Sequence, residues 1–83
     1  MYVYIIKSKK NGRIYVGSTE DVSLRLEQHN KGDSKSTKSY VPWELIRSEE
    51  YSDKTLALKR EKFFKSGKGR RALKNLLGLN NKV

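Results

Sequence analysis

The chain opens with two short segments in which bulky apolar and aromatic side chains recur at a period of two. Residues 2–7 (YVYIIK) and 13–17 (RIYVG) are rich in β-branched and aromatic types, and Asn11-Gly12 between them is a strong hairpin signal. A two-residue or a four-residue connection both fit. Either even-length loop puts Val3, Ile5, Ile14 and Val16 on one face and Tyr2, Tyr4, Ile6, Arg13, Tyr15 and Gly17 on the other. The first face is core. The second, with three tyrosines, an arginine and a glycine, is an unusual covering for a small sheet.

The period then lengthens to that of a helix. Ser18 or Thr19 is the expected N-cap, Glu20 and Asp21 fall in the first turn, and the helix should end near Lys31-Gly32. At 100° per residue, Val22, Arg25, Leu26 and His29 share one side. Residues 32–40 (GDSKSTKSY) are polar and read as a loop closed by Pro42. A third strand, partly an edge, is expected over 43–51 (WELIRSEEY), with Trp43 and Leu45 alternating against Glu44 and Ile46. Ser52 or Asp53 should cap a second helix to about Lys65, its apolar arc formed by Leu56, Ala57, Phe63 and Phe64 with Glu61 on the flank. Gly67-Lys68-Gly69 reads as a break before a third helix over 70–77, with Ala72, Leu73, Leu76 and Leu77 facing inward. The pattern predicts an α+β fold: a small three-stranded antiparallel sheet flanked by about three helices. It forms one domain over 1–83, with its core over about 1–77 and a flexible tail at 78–83.

At 83 residues the chain hides only about 60–65% of its unfolded surface, which leaves no room for a separate recognition domain. No apolar run approaches the ~20 residues of a membrane span, and the first apolar stretch precedes its charges rather than following them. Neither a membrane protein nor a secretory precursor is expected, and the cytoplasm is the predicted location. Zero cysteines exclude disulfides, thiolate zinc sites and thiol catalysis, and the single His29 cannot build a multi-histidine metal centre. Any metal must therefore rest on oxygen ligands, which favours magnesium, manganese or calcium.

Charge changes the picture further. Lys plus Arg number 19 against 9 for Asp plus Glu, a net charge of +10. Much of the excess lies from Lys35 onward, in Lys35, Lys38, Arg60, Lys65, Lys68, Arg70 and Arg71, with Arg13 contributed by the hairpin. Such residues can simply solubilise a surface, but a concentrated excess of one sign favours contact with nucleic acid. No element resembles a recognition helix or a zinc finger, so low sequence specificity is expected.

One constellation mixes an acid, a base and cations at positions half turned toward a core: Tyr4, Tyr15, Arg25, His29 and Glu61. Taken singly, each has an ordinary structural role open to it, as packing tyrosine, hydrogen-bonded core histidine or solvated helix charge. Their order is more telling. Tyr2-Val3-Tyr4, ten intervening residues, Tyr15-Val16-Gly17, Arg25 eight residues later, then His29-Asn30 and a helical Glu61 resemble the GIY-YIG nuclease family, above all its small stand-alone bacterial members. The resemblance covers roughly residues 1–65.

It implies that Tyr4, Tyr15, Arg25 and Glu61 surround a phosphodiester, that Gly17 permits close approach, that His29 assists, and that Glu61 holds one Mg2+ or Mn2+. The chemistry suits these groups, because a phosphodiester needs charge neutralisation and a proton acceptor. A tyrosine, with an ordinary pKa near ~10, serves as base at neutral pH only if cations such as Arg25 or Lys65 favour its phenolate. Tyr4 is the expected base, directly or through His29, and Tyr15 the expected phosphate-positioning donor, with the exchange of these two roles as the alternative. The implied function is a metal-dependent endonuclease acting on nucleic acid, DNA ahead of RNA. The alternatives are a binding module of the same fold with little cleavage and, more distantly, a basic ribosome-associated protein. A monomer is expected, with a homodimer as the other possibility.

Overall fold

The computed structural model describes residues 1–78, so the expected tail falls almost wholly outside the described residues. The hairpin forms as its sequence predicts. Strands β1 (Tyr2–Ser8) and β2 (Ile14–Thr19) pair antiparallel, and the Ser8 amide donates to the Arg13 carbonyl at 2.8 Å, leaving four residues to turn the chain. Ile5 faces Val16 and Tyr4 faces Gly17 across the ladder, which confirms the expected division of faces. Strand β3 (Trp43–Glu50) pairs with the free side of β1, giving the order β2-β1-β3. A central strand is covered on both faces, and Val3, Tyr4, Ile5 and Ile6 are all buried.

The register between β1 and β3 jumps at Ile46: Ile6 faces Leu45 but Ile5 faces Arg47. One extra residue in a strand reverses the facing of everything beyond it. Arg47 and Glu49 therefore share the side of Val3 and Ile5, where simple alternation would have put them with Trp43. There the Glu49 carboxylate accepts from Arg60 (2.9 and 3.3 Å), from Arg47 (3.0 Å) and from the Tyr51 hydroxyl (2.7 Å).

Three helices cover the sheet. Helix α1 (Val22–Asn30) begins later than expected: β2 runs on through Thr19, whose Cα partner is Tyr2, so Asp21 rather than Ser18 or Thr19 caps the helix by accepting from the Leu24 amide at 3.0 Å. Helix α2 (Lys54–Lys65) is capped by Asp53. Its buried face is narrower than the expected arc. Ala57 and Phe64, two turns apart, are buried, while Leu56 and Phe63, each one residue earlier, remain 44% and 37% exposed.

Helix α3 (Gly67–Leu77) includes the expected break as its first turn, with the Ser66 hydroxyl accepting from the Gly69 amide. Glycine serves packing here, since a Cβ on Gly69 would overlap the Phe63 carbonyl. Leu73 is buried and Leu77 packs on the core, but Leu76 stays exposed.

The sheet thus separates two cores. On one side Val3, Ile5 and Val16 pack against Ala57 and Phe64 of α2 and Leu73 of α3. On the other, Tyr4, Ile6 and Trp43 pack with Tyr15, Val22, Leu26, Tyr40 and Val41. Among the described residues no helix is long and apolar enough to cross a membrane.

Burial alone would raise the Glu49 pKa, but the hydrogen bonds from Arg60, Tyr51 and Arg47 outweigh it and hold the carboxyl at about 2. A carboxylate with a depressed folded pKa lends stability that is complete above its unfolded value and lost as pH falls through the folded one. Wild type should therefore lose up to about 3 kcal/mol between roughly pH 4.5 and pH 2 from this group. Denaturant melts of Glu49→Gln across that range should show a flatter acid limb. Parallel limbs would mean that Glu49 is not its source.

Candidate active site

The second core contains more polar machinery than apolar packing requires. α1 lies over the tyrosine face and places His29, fully buried, against Tyr4: the Tyr4 hydroxyl and His29 Nε2 are 2.8 Å apart. The hydroxyl sits over β2, where an ideal Cβ on Gly17 would come within 2.5 Å of it. Residue 17 must therefore lack a side chain for Tyr4 to reach its position.

On its far side His29 Nδ1 lies 2.8 Å from the hydroxyl of Thr37, itself buried, and the Thr37 carbonyl accepts from the Trp43 indole at 3.0 Å. Asn30 fastens the end of α1 to the start of β3: its amide group donates to the Trp43 carbonyl and accepts from the Trp43 amide. The Tyr15 ring packs edge-on to His29 with centroids 5.1 Å apart.

α2 contributes from the other face of the sheet. Because β2 is an outer strand, side chains of α2 can reach around it. Glu61 accepts from the Ser18 hydroxyl and from Lys65 Nζ, each at 2.7 Å, and Lys65 Nζ lies 5.9 Å from the Tyr15 ring centroid. The carboxylate pKa is lowered: burial pushes it up, but Lys65 and Ser18 together prevail. Arg25 on α1 donates to the Gln28 side chain at 3.0 Å and acts electrostatically on both Tyr4 and His29.

The arrangement gathers two phenols, an imidazole, a guanidinium and a carboxylate from both layers along one sheet edge. In comparison with known proteins, the family model of the GIY-YIG catalytic domain matches residues 1–75. The chain belongs to the GIY-YIG family. That is a nuclease-type family, and membership points to interaction with nucleic acid. UPF0213 proteins of Staphylococcus aureus, including those of strains Mu50 and MW2, are 44% identical over 61 residues, covering 72% of this chain and 73% of theirs. The solution NMR structure of a UPF0213 protein from Bacillus halodurans superposes with a TM-score of 0.55 at 32% identity, covering 93% of this chain and 84% of that one.

Of the family-motif residues, Tyr4, Tyr15, Gly17, Arg25, His29 and Glu61 all come together. The basic residues divide. Arg60 is committed to Glu49 and stacks 4.2 Å from the Phe64 ring centroid, so it is part of the fold rather than a free contact. Lys65 belongs to the site through Glu61, and the i, i+4 spacing of the two already allowed that. Arg13 lies over the Tyr40 ring at 5.0 Å, while Lys35, Lys38, Lys68, Arg70 and Arg71 are exposed. Two site residues had no sequence signal. Ser18 became a Glu61 partner through strand pairing, and Thr37 a His29 partner through the fold of a polar loop.

The protonation states follow from these surroundings. Burial pushes the Tyr4 phenol above its ordinary value and Arg25 only partly opposes it, so the expected phenolate does not form in the free protein. Burial, and then the Arg25 charge, lowers the His29 pKa, leaving a neutral imidazole at pH 7. A neutral ring carries one proton. A Tyr4 hydroxyl that donates to His29 Nε2 goes with a ring proton on Nδ1, facing the Thr37 hydroxyl.

With one histidine in the chain, 15N NMR reads this state directly. Wild type should show the Nδ1–H tautomer at pH 7. Thr37→Val should mix the tautomers and cost about 1–3 kcal/mol, because a buried N–H loses its acceptor. An unchanged tautomer in Thr37→Val would remove Thr37 from this role. Gly17→Ala should destabilise by about 1–3 kcal/mol through overpacking against Tyr4. A melt identical to wild type would contradict the close approach.

Proposed function

We propose that this protein is a divalent-metal-dependent endonuclease that hydrolyses phosphodiester bonds in DNA, or in RNA, with little sequence preference. The observation that carries the reading is the Tyr4–His29 hydrogen bond, held beside Arg25 and Glu61 in one cluster. Any buried phenol needs a hydrogen-bond partner, but a partner that can itself take up a proton is what a tyrosine general base with a raised pKa requires.

Glu61 fits a hard cation: it is ionised, and its Oε2 already holds an ammonium that a hydrated ion can replace. Magnesium characteristically takes one or two carboxylates and completes its shell with water and phosphate oxygens. An ion held by Glu61 would supply charge stabilisation at the phosphate and the departing 3′ oxygen.

The chain's own residues account for the rest. Arg25 clamps a nonbridging oxygen and Tyr15 donates to the phosphate. Tyr4 takes a proton from the attacking water as it passes its own to His29 Nε2, so a neutral phenol can serve without first ionising. The bound phosphodiester brings a negative charge that offsets the effect of Arg25 on His29, making the imidazole a better acceptor in the complex. The water oxygen bonds to phosphorus as the P–O3′ bond breaks. Thr37 keeps Nε2 free to accept.

The second reading, a binding module with weak cleavage, draws on the Lys65–Glu61 ion pair, which occupies the carboxylate in the free protein. Incubation with mixed DNA and RNA substrates in Mg2+ or Mn2+ separates the two. Cleavage should need added metal and fall by about 100-fold or more in Arg25→Ala and Glu61→Gln, and by a comparable factor in Tyr4→Phe. Binding should survive Glu61→Gln. A protein that cuts nothing, or whose Arg25 and Glu61 variants cut like wild type, is not this nuclease.

A further inference from the structure

A groove of about 510 Å3 runs from Tyr15 and Lys65 between β2 and α3, and nothing in the mechanism above uses its far end. Its charged lining residues are Arg13, Lys65, Arg70 and Lys74, with no carboxylate among them. Its floor is apolar, built from Ile14, Phe64 and Leu73, and Leu77 closes one wall. Arg70, Leu73, Lys74 and Leu77 recur at helical spacing, so α3 turns one mixed cationic and apolar stripe into this space. The volume lies within the roughly 300–1,000 Å3 typical of sites for small-molecule-sized groups.

We infer that this groove is a nucleotide subsite, taking the sugar and base of a nucleotide that flanks the scissile phosphate on its apolar floor and the next phosphate on its cationic rim. The inference rests on the nuclease reading above. Two residues tie the places together: Tyr15 packs on His29 at the reacting end, and Lys65 pairs with Glu61 there, while both also line the groove. A strand is covalently continuous, so whatever leaves a phosphate at Tyr4 and Arg25 along β2 enters a space whose charges all favour another phosphate. An acidic peptide would satisfy the rim, but it has no reason to place a phosphodiester at the other end.

The test needs no cleavage. Binding of a labelled single-stranded octanucleotide in EDTA is followed by anisotropy over a salt series. Each lost single-strand phosphate contact removes about 0.7 from the slope of log K against log salt, so Arg70→Ala/Lys74→Ala, which releases the one phosphate on the rim, should flatten it by about 0.7. Lys31→Ala/Lys54→Ala, which removes the same charge away from the groove, should leave the slope as in wild type. In methyl NMR, thymidine 3′,5′-bisphosphate should shift Ile14, Leu73 and Leu77, and inorganic phosphate alone should not. Equal slopes for the two double variants, or silent methyls at those three residues, would overturn the subsite. A protein that cuts nothing but passes both tests loses the nuclease reading and keeps the groove as a nucleotide site. One that cuts but fails either test loses the groove alone.

Discussion

The hydroxyl of Tyr4 lies where it does because residue 17 of the neighbouring strand has no side chain, and His29 can be buried because that hydroxyl is there to meet it. An uncompensated imidazole in a small core is costly; one bonded at both nitrogens, by Tyr4 and Thr37, is not. The remainder of the second core is arranged around this chain of groups. Trp43 holds the Thr37 carbonyl, Asn30 ties Trp43 to the end of α1, and Tyr15 packs on the imidazole. No buried side-chain polar atom among the described residues lacks a partner.

The site's position follows from sheet order. With β1 in the centre, β2 becomes an outer strand, and side chains from the two opposed layers can meet only around such an edge. α1 brings Arg25 and His29 from one side, and α2 brings Glu61 and Lys65 from the other. Arg60, next to Glu61 in the chain, points elsewhere by one residue of helical rotation and meets Glu49, which the β3 bulge turned toward it. Two adjacent charges in α2 thus meet different partners, Arg60 the Glu49 carboxylate and Glu61 the Ser18 hydroxyl and Lys65.

A chain of net charge +10 also has to reconcile its cations with folding. Some are neutralised inside the structure, as in the Arg60–Glu49 and Lys65–Glu61 pairs. Arg13, Arg70 and Lys74, which line the groove between β2 and α3, meet no carboxylate in its lining.

The linear pattern by itself determined the three strands, the facing of the hairpin, the three helices and the family residues, because period-two alternation and motif spacing are local properties that survive folding. Even the common face of Tyr4, Tyr15 and Gly17 followed from an even loop length. What only the tertiary structure decided depends on contacts between distant segments. The β3 bulge made Arg60 structural, strand pairing to Thr19 moved the α1 cap to Asp21, and close packing on Phe63 drew Gly67 to Gly69 into a helix. A polar loop with no local signature supplied Thr37, and burial set the protonation of Tyr4 and His29. Dielectric surroundings and partners distant in the chain are not written in any single segment, so the hydrogen-bonded series from Tyr4 through His29 to Thr37 emerged only once the layers had closed on β2.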